Sequence, residues 1–157
     1  MALRESEIHV FASFDIDHDT DLYELLLVQS AAAGSSFTVS GGSKPYAETD
    51  VWKEGTRRRI READQVIVVC GEFTDVSVAV FSELQIAQEE QKPYFLLWGR
   101  REGMCTKPAG VKSAEGMYSW TRPILLDQIS RMARIAAKES QARESALAAR
   151  DLRGRAS

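Results

Sequence analysis

Gln65-Val66-Ile67-Val68-Val69-Cys70 is the stretch on which the fold turns. Four β-branched residues in succession, without polar alternation, mark a strand covered on both faces, as strands of parallel sheets are. Tyr94-Phe95-Leu96-Leu97-Trp98, set off by the Lys92-Pro93 break, reads the same way. Upstream, Ile8-His9-Val10-Phe11-Ala12-Ser13 predicts a first buried strand. Phe37-Thr38-Val39-Ser40 predicts a short second one, followed by the turn-forming run Gly41-Gly42-Ser43-Lys44-Pro45. Met117-Tyr118-Ser119-Trp120 reads as a short edge strand.

Helical patterns fill the intervals. Asp15, Asp17, Asp19 and Thr20 offer caps for a helix over 21–33, whose apolar face holds Leu22, Leu25 and Leu26 and which Gly34 stops. A second helix runs from about 50 to 63 with Val51, Trp52 and Ile60. A third covers 77–91 with Val80, Leu84 and Ala87 on one face. Thr121 caps a last helix, with Pro123 in its first turn and Leu125, Ile129, Met132 and Ile135 or Ala136 as its buried stripe. Strands alternating with helices imply a three-layer α/β fold, a central parallel sheet flanked by helices. In such sheets ligands sit beyond the carboxyl ends of the strands, where strand order switches. The segments to search are therefore 13–21, 41–48, 71–77 and 99–113.

The 157 residues suit one domain, expected over 1–137, with a basic, partly helical extension over 138–157 that frays. The chain carries 20 Lys+Arg against 23 Asp+Glu, net −3. From Arg131 onward seven basic and three acidic residues leave the tail near +4 and the rest near −7, which gives no support to nucleic-acid binding. Cys70 and Cys105 are too few for a disulfide framework and show no CxxC spacing, so a reducing setting is expected. The charged opening 1–7 has no apolar leader block, and no apolar run reaches the ~20 residues of a membrane span. A soluble cytoplasmic protein without membrane contact is expected.

No GxGxxG, GxxxxGK[ST] or GxSxG occurs, which removes the usual dinucleotide, P-loop and hydrolase signals. The central strand ends in Cys70-Gly71-Glu72 rather than aspartate, against a phosphoreceiver. The run Phe14-Asp15-Ile16-Asp17-His18-Asp19-Thr20-Asp21 concentrates carboxylates after the first strand. A cation would need oxygen ligands from a second segment, and the other loops offer few, so helix capping is the stronger reading and no metal ligand is assigned. Glu83 lies among apolar neighbours in Phe81-Ser82-Glu83-Leu84-Gln85-Ile86-Ala87. A carboxylate there could hold ribose hydroxyls and stabilise an oxocarbenium-like centre, or pair with a neighbouring cation on the helix surface.

In order along the chain, Val10-Phe11-Ala12-Ser13-Phe14-Asp15 with Asp17-His18-Asp19, then Asp50-Val51-Trp52-Lys53, then Ile60-Arg61-Glu62-Ala63-Asp64-Gln65-Val66-Ile67-Val68-Val69, then Ser82-Glu83-Leu84-Gln85-Ile86-Ala87 and Lys92-Pro93 resemble TIR-like domains, and among them the ThsB branch of Thoeris anti-phage systems. The likeness spans about residues 8–98. It implies a flavodoxin-like TIR fold that cleaves the nicotinamide–ribose bond of NAD⁺, which is substrate rather than cofactor. Glu83 matches the catalytic glutamate. Ser13, Phe14 and Asp15 match the pocket lining after the first strand, and the loop holding Gly42 and Ser43 borders it. The branch implies a cyclised ADP-ribose signal to a downstream effector, and self-assembly through TIR surfaces.

One departure stands out. Many TIR enzymes carry Trp four residues before the glutamate, and this chain has Ala79. Nicotinamide stacking then falls to Phe14 or Trp52, or is absent. For Phe14, core packing and ring stacking compete; for His18, donation to a ribose or phosphate oxygen competes with simple capping. Two further functions stay open beside the enzyme: a non-catalytic TIR adaptor, which Ala79 favours, and a nucleoside-processing transferase, which lacks motif support.

Overall fold

The computed structural model describes residues 7–156; the opening segment 1–6 and Ser157, on which part of the leader expectation rests, lie outside them. Five strands, β1 (Ile8–Ser13), β2 (Phe37–Gly42), β3 (Gln65–Cys70), β4 (Tyr94–Trp98) and β5 (Met117–Ser119), form one parallel sheet in the order β2-β1-β3-β4-β5. The helices are α1 (Ile16–Ala31), α2 (Asp50–Glu62), α3 (Val78–Glu89) and α4 (Arg122–Ala156). The chain leaves β1 for one edge, then returns to pair β3 on its other side. The switch in strand order therefore falls between β1 and β3.

The residues of β3 show why the sheet needs two coats. All six are buried. Val66, Val68 and Cys70 pack with Phe11, Leu96 and the α2 and α3 side chains Trp52, Ile60, Val80, Leu84 and Ala87. Ile67 and Val69 point the other way, onto Val10, Ala12, Phe95 and Leu97 and the α1 and α4 side chains Leu22, Leu26, Leu125 and Ile129. Alternation along the strand thus feeds both cores. Gln65 is a polar member of this buried strand, and its amide donates to the Ile129 carbonyl of α4 at 3.0 Å.

Three boundaries differ from the sequence reading. First, α1 begins at Ile16, not 21, because Asp15 is the cap: its Oδ1 accepts from the Asp17 N–H at 3.0 Å. The helix is kinked at Asp19, whose φ of −122° is not helical. Second, β2 continues through Gly41 and Gly42, which pair with Phe11 and Ala12 after a register shift in β1 between Val10 and Phe11. Third, α4 is one continuous helix to Ala156 where fraying was expected, and its buried stripe is shorter than expected. Leu125 and Ile129 are buried, Met132 is half-buried, and Ile135 is 43% exposed. From Ala137 to Gly154 every residue of this helix is exposed. Among the described residues no helix is long and apolar enough to cross a membrane.

Candidate functional site

The carboxyl ends of β1 and β2 and the second turn of α3 converge on one carboxylate. Ser77 starts α3 by accepting from the Val80 N–H, and this fixes the helix so that Glu83 shares the inward face with Val80, Leu84 and Ala87. Glu83 is completely buried. Its Oε1 accepts two hydroxyl hydrogen bonds, from Ser13 at 2.6 Å and from Ser43 at 2.7 Å. Ser43 is itself held: its N–H donates to the Ala12 carbonyl, and its Oγ accepts from the Phe14 N–H at 3.0 Å. Oε2 has no partner. Among the described residues no cation pairs with it, and its complete burial removes it from the helix surface where the alternative placed it.

Burial pushes the Glu83 carboxyl up to about 7, against the pull of the two serine hydroxyls and the field of Arg59. Near neutral pH the group is about half ionised. A buried acid in that state, with one oxygen fixed by hydroxyl donors and the other unengaged, can accept a proton from an incoming hydroxyl or face a developing positive charge.

Arg59 of α2 was not singled out in the sequence, where it is one of three consecutive arginines. Its Nη1 donates to the Gly42 carbonyl at 2.6 Å and its Nη2 to the Thr56 hydroxyl at 3.2 Å, with the guanidinium carbon 5.6 Å from the centre of the Phe11 ring. Its spacing from Trp52 and Thr56, two residues on the buried face of α2, was the available signal.

The expected pocket residues divide. Ser13, Ser43 and Glu83 come together, with Gly42 directly behind Ser43. Gly42 is a strand residue, and a Cβ there would stand 2.7 Å from the Tyr23 ring. Phe14 contributes its backbone N–H to the site, while its ring is buried and stacked on Tyr23 with centroids 4.6 Å apart. Trp52 is buried with its ring edge-on to Tyr46 at 4.7 Å, and its indole N–H has no partner. Neither ring stands free as a stacking platform.

Asp15 and His18 form a separate pair. Asp15 Oδ2 meets His18 Nδ1 at 2.7 Å, and the imidazole ring lies 4.3 Å from Phe73. That hydrogen bond to Asp15 raises the His18 pKa above its ordinary value. Beside them Arg100, just after β4, ties the loop to α1: it donates to both Asp21 oxygens, to the His18 carbonyl and to Asp19 Oδ1. Asp19 is buried against Gly71, where any Cβ would collide with its carboxylate. The acidic run is thus divided between cap, histidine and arginine. Among the described residues no cluster of three His, Cys, Asp or Glu side chains is arranged to hold a metal ion.

Neither the scan of protein-family models nor the search of curated proteins gives a match. Solved structures do. The TIR domain of the Toll-related receptor TRR-2 from Hydra magnipapillata aligns with a TM-score of 0.56 at 16% identity, over 80% of this chain and 97% of that one. A prokaryotic SEFIR domain aligns at 0.46 with 20% identity, over 82% of this chain and 92% of that one. The strand order, the helices on both faces and the likeness to the Hydra domain define a TIR-like α/β fold of the flavodoxin-like type.

Proposed function

We infer that the chain is a TIR-type enzyme that cleaves NAD⁺ at the nicotinamide–ribose bond, with Glu83 as the catalytic residue. The observation that carries this reading is the Glu83 carboxylate, completely buried at the sheet's switch point, held by Ser13 and Ser43 through one oxygen and unengaged at the other. Breaking the C1′–N bond returns its electron pair to the pyridinium, so neutral nicotinamide departs without acid catalysis. The ribose carbon left behind is positive. The ionised Glu83 stabilises that centre and accepts hydrogen bonds from the ribose hydroxyls. Attack by water on C1′ gives ADP-ribose and a proton; attack by a ring nitrogen of the adenine gives a cyclic product, with a proton lost from the adenine.

The sequence motifs point further, to an anti-phage sensor of the ThsB kind whose nucleotide product signals to an effector. A second reading, a non-catalytic module that assembles with other TIR-like domains, is favoured by the closed Glu83 site together with Ala79. Incubating the pure protein with NAD⁺ separates the two. Release of free nicotinamide that Glu83→Gln abolishes supports the enzyme; no release in any assembly state, including at high protein concentration, overturns it.

A further inference from the structure

We propose that Arg59 is a positioning residue of the Glu83 site, holding the end of β2 so that Ser43 meets the carboxylate and balancing the charge that Glu83 carries in its working form; this rests on the catalytic reading of Glu83. Three observations converge on it. The guanidinium donates to the Gly42 carbonyl at 2.6 Å, one peptide unit before the residue whose hydroxyl reaches Glu83 Oε1. It is anchored on its own helix by Thr56 and lies over the Phe11 ring, so its place is fixed rather than solvent-averaged. On the opposite side Tyr23 packs against Gly42 so closely that no side chain fits there. The end of β2 is therefore gripped from both faces, and Ser43 is presented at one position.

Around Glu83 the packed elements offer hydroxyls from Ser13 and Ser43 and apolar side chains from α3 itself. Asp15, the first acid after β1 in the chain, is engaged by His18 and its own helix N-terminus. The lysine next to Ser43, Lys44, is exposed. Arg59 is the cation whose field favours the Glu83 carboxylate. In a buried setting an opposite charge moves an acid's midpoint by about one unit or more. The neighbouring arginines do other work: Arg57 and Arg61 pair with Glu89 and Glu90 at the far end of α3.

The test compares Arg59→Gln, which keeps a neutral donor, with Arg59→Lys, which keeps the charge. Nicotinamide release is followed against pH. In parallel, the melting temperature of each variant is compared with that of the same variant carrying Glu83→Gln, which reads the Glu83 midpoint without any reaction. Arg59→Gln is expected to raise both midpoints by about one pH unit, a tenfold change in the acid constant, and Arg59→Lys to return them to the wild-type value. A lowered melting temperature with both midpoints unmoved makes Arg59 a structural residue only and overturns the proposal. If wild type releases no nicotinamide, the catalytic reading fails, and the melting comparison alone decides Arg59. If Arg59→Gln is unfolded at neutral pH, recovery of the fold below pH 5, where Glu83 is neutral, supports the charge role; failure to fold at every pH overturns it.

Discussion

Glu83 and Glu90 stand seven residues apart along one helical segment, and the protein treats them in opposite ways. Glu83 faces the sheet, meets hydroxyls and no ion pair, and burial lifts its pKa to about 7. Glu90, at the carboxyl end of α3, accepts from Arg57 and Arg61 of α2 at 2.7–3.1 Å and is held down at about 2, chiefly by the Arg61 hydrogen bond and then by Arg57. A salt bridge of the second kind links two helices and is fully charged at any physiological pH. A carboxyl of the first kind costs the fold stability in its charged form.

The largest way to break this contrast is Glu83→Gln. Gln preserves shape and the serine contacts but carries no charge, so nicotinamide release is expected to fall about 100- to 1,000-fold with the fold intact. In wild type, the proposed mechanism uses the ionised carboxylate, so release is expected to climb as pH rises through about 7. A pH-independent rate between 6 and 8 would remove Glu83 from the rate-determining step.

The same substitution is expected to stabilise the protein at alkaline pH. A carboxyl whose folded pKa lies above its unfolded 4.5 favours the fold below 4.5, loses that advantage between 4.5 and about 7, and is constant above. Glu83→Gln should therefore match wild type near pH 4.5 and exceed it by about 3 kcal/mol above pH 7, measured by denaturant unfolding across pH. Equal stability at pH 8 contradicts the burial argument.

Gly42→Ala sharpens the comparison by disturbing only the Glu83 side. Its Cβ would press on the Tyr23 ring from 2.7 Å, and the cost is expected at about 1–3 kcal/mol, visible as a lower melting temperature with the α2–α3 ion pairs untouched. The smallest effect belongs to Glu90→Gln. The depressed pKa gives stability that is present above pH 4.5 and lost as pH falls towards 2. The variant should therefore melt slightly below wild type at pH 7 and match it near pH 2. The gap should also shrink in high salt.

Local pattern sufficed where burial was uniform. The β-branched run of β3 and the apolar run of β4 needed no partner to be read, because a strand hidden on both faces has no polar alternation to confuse it. Helix α1 was harder: Asp15, Asp17, Asp19 and Thr20 all offer caps in sequence. Asp15 takes the role by accepting from the Asp17 N–H, while Arg100, 81 residues beyond Asp19, claims part of Asp19 and the Thr20 hydroxyl donates to the Ile16 carbonyl. The two glycines of β2 looked like a turn, yet the ladder with Phe11 and Ala12 draws them into the sheet.

The sequence by itself therefore determined the α/β class, the strand positions, Glu83 as a candidate and the carboxyl-end loops as the place to search. The class and the strands follow from periodicity over a few residues, which is a local property; the search loops follow from the class, and Glu83 from its apolar neighbours together with the resemblance to TIR-like domains. Only the tertiary structure decided that Glu83 is sealed and bound by Ser13 and Ser43, that the Phe14 ring is packed on Tyr23, and which of three consecutive arginines meets the Gly42 carbonyl. Arg57 and Arg59 differ by two residues, about 200° around a helix, so one turns to Glu89 and Glu90 and the other to Gly42. Locally, only the spacing of Arg59 from Trp52 and Thr56 on the buried face of α2 separates them. The distinction is made by what α2 packs against, and that is set by contacts 17 to 33 residues away along the chain.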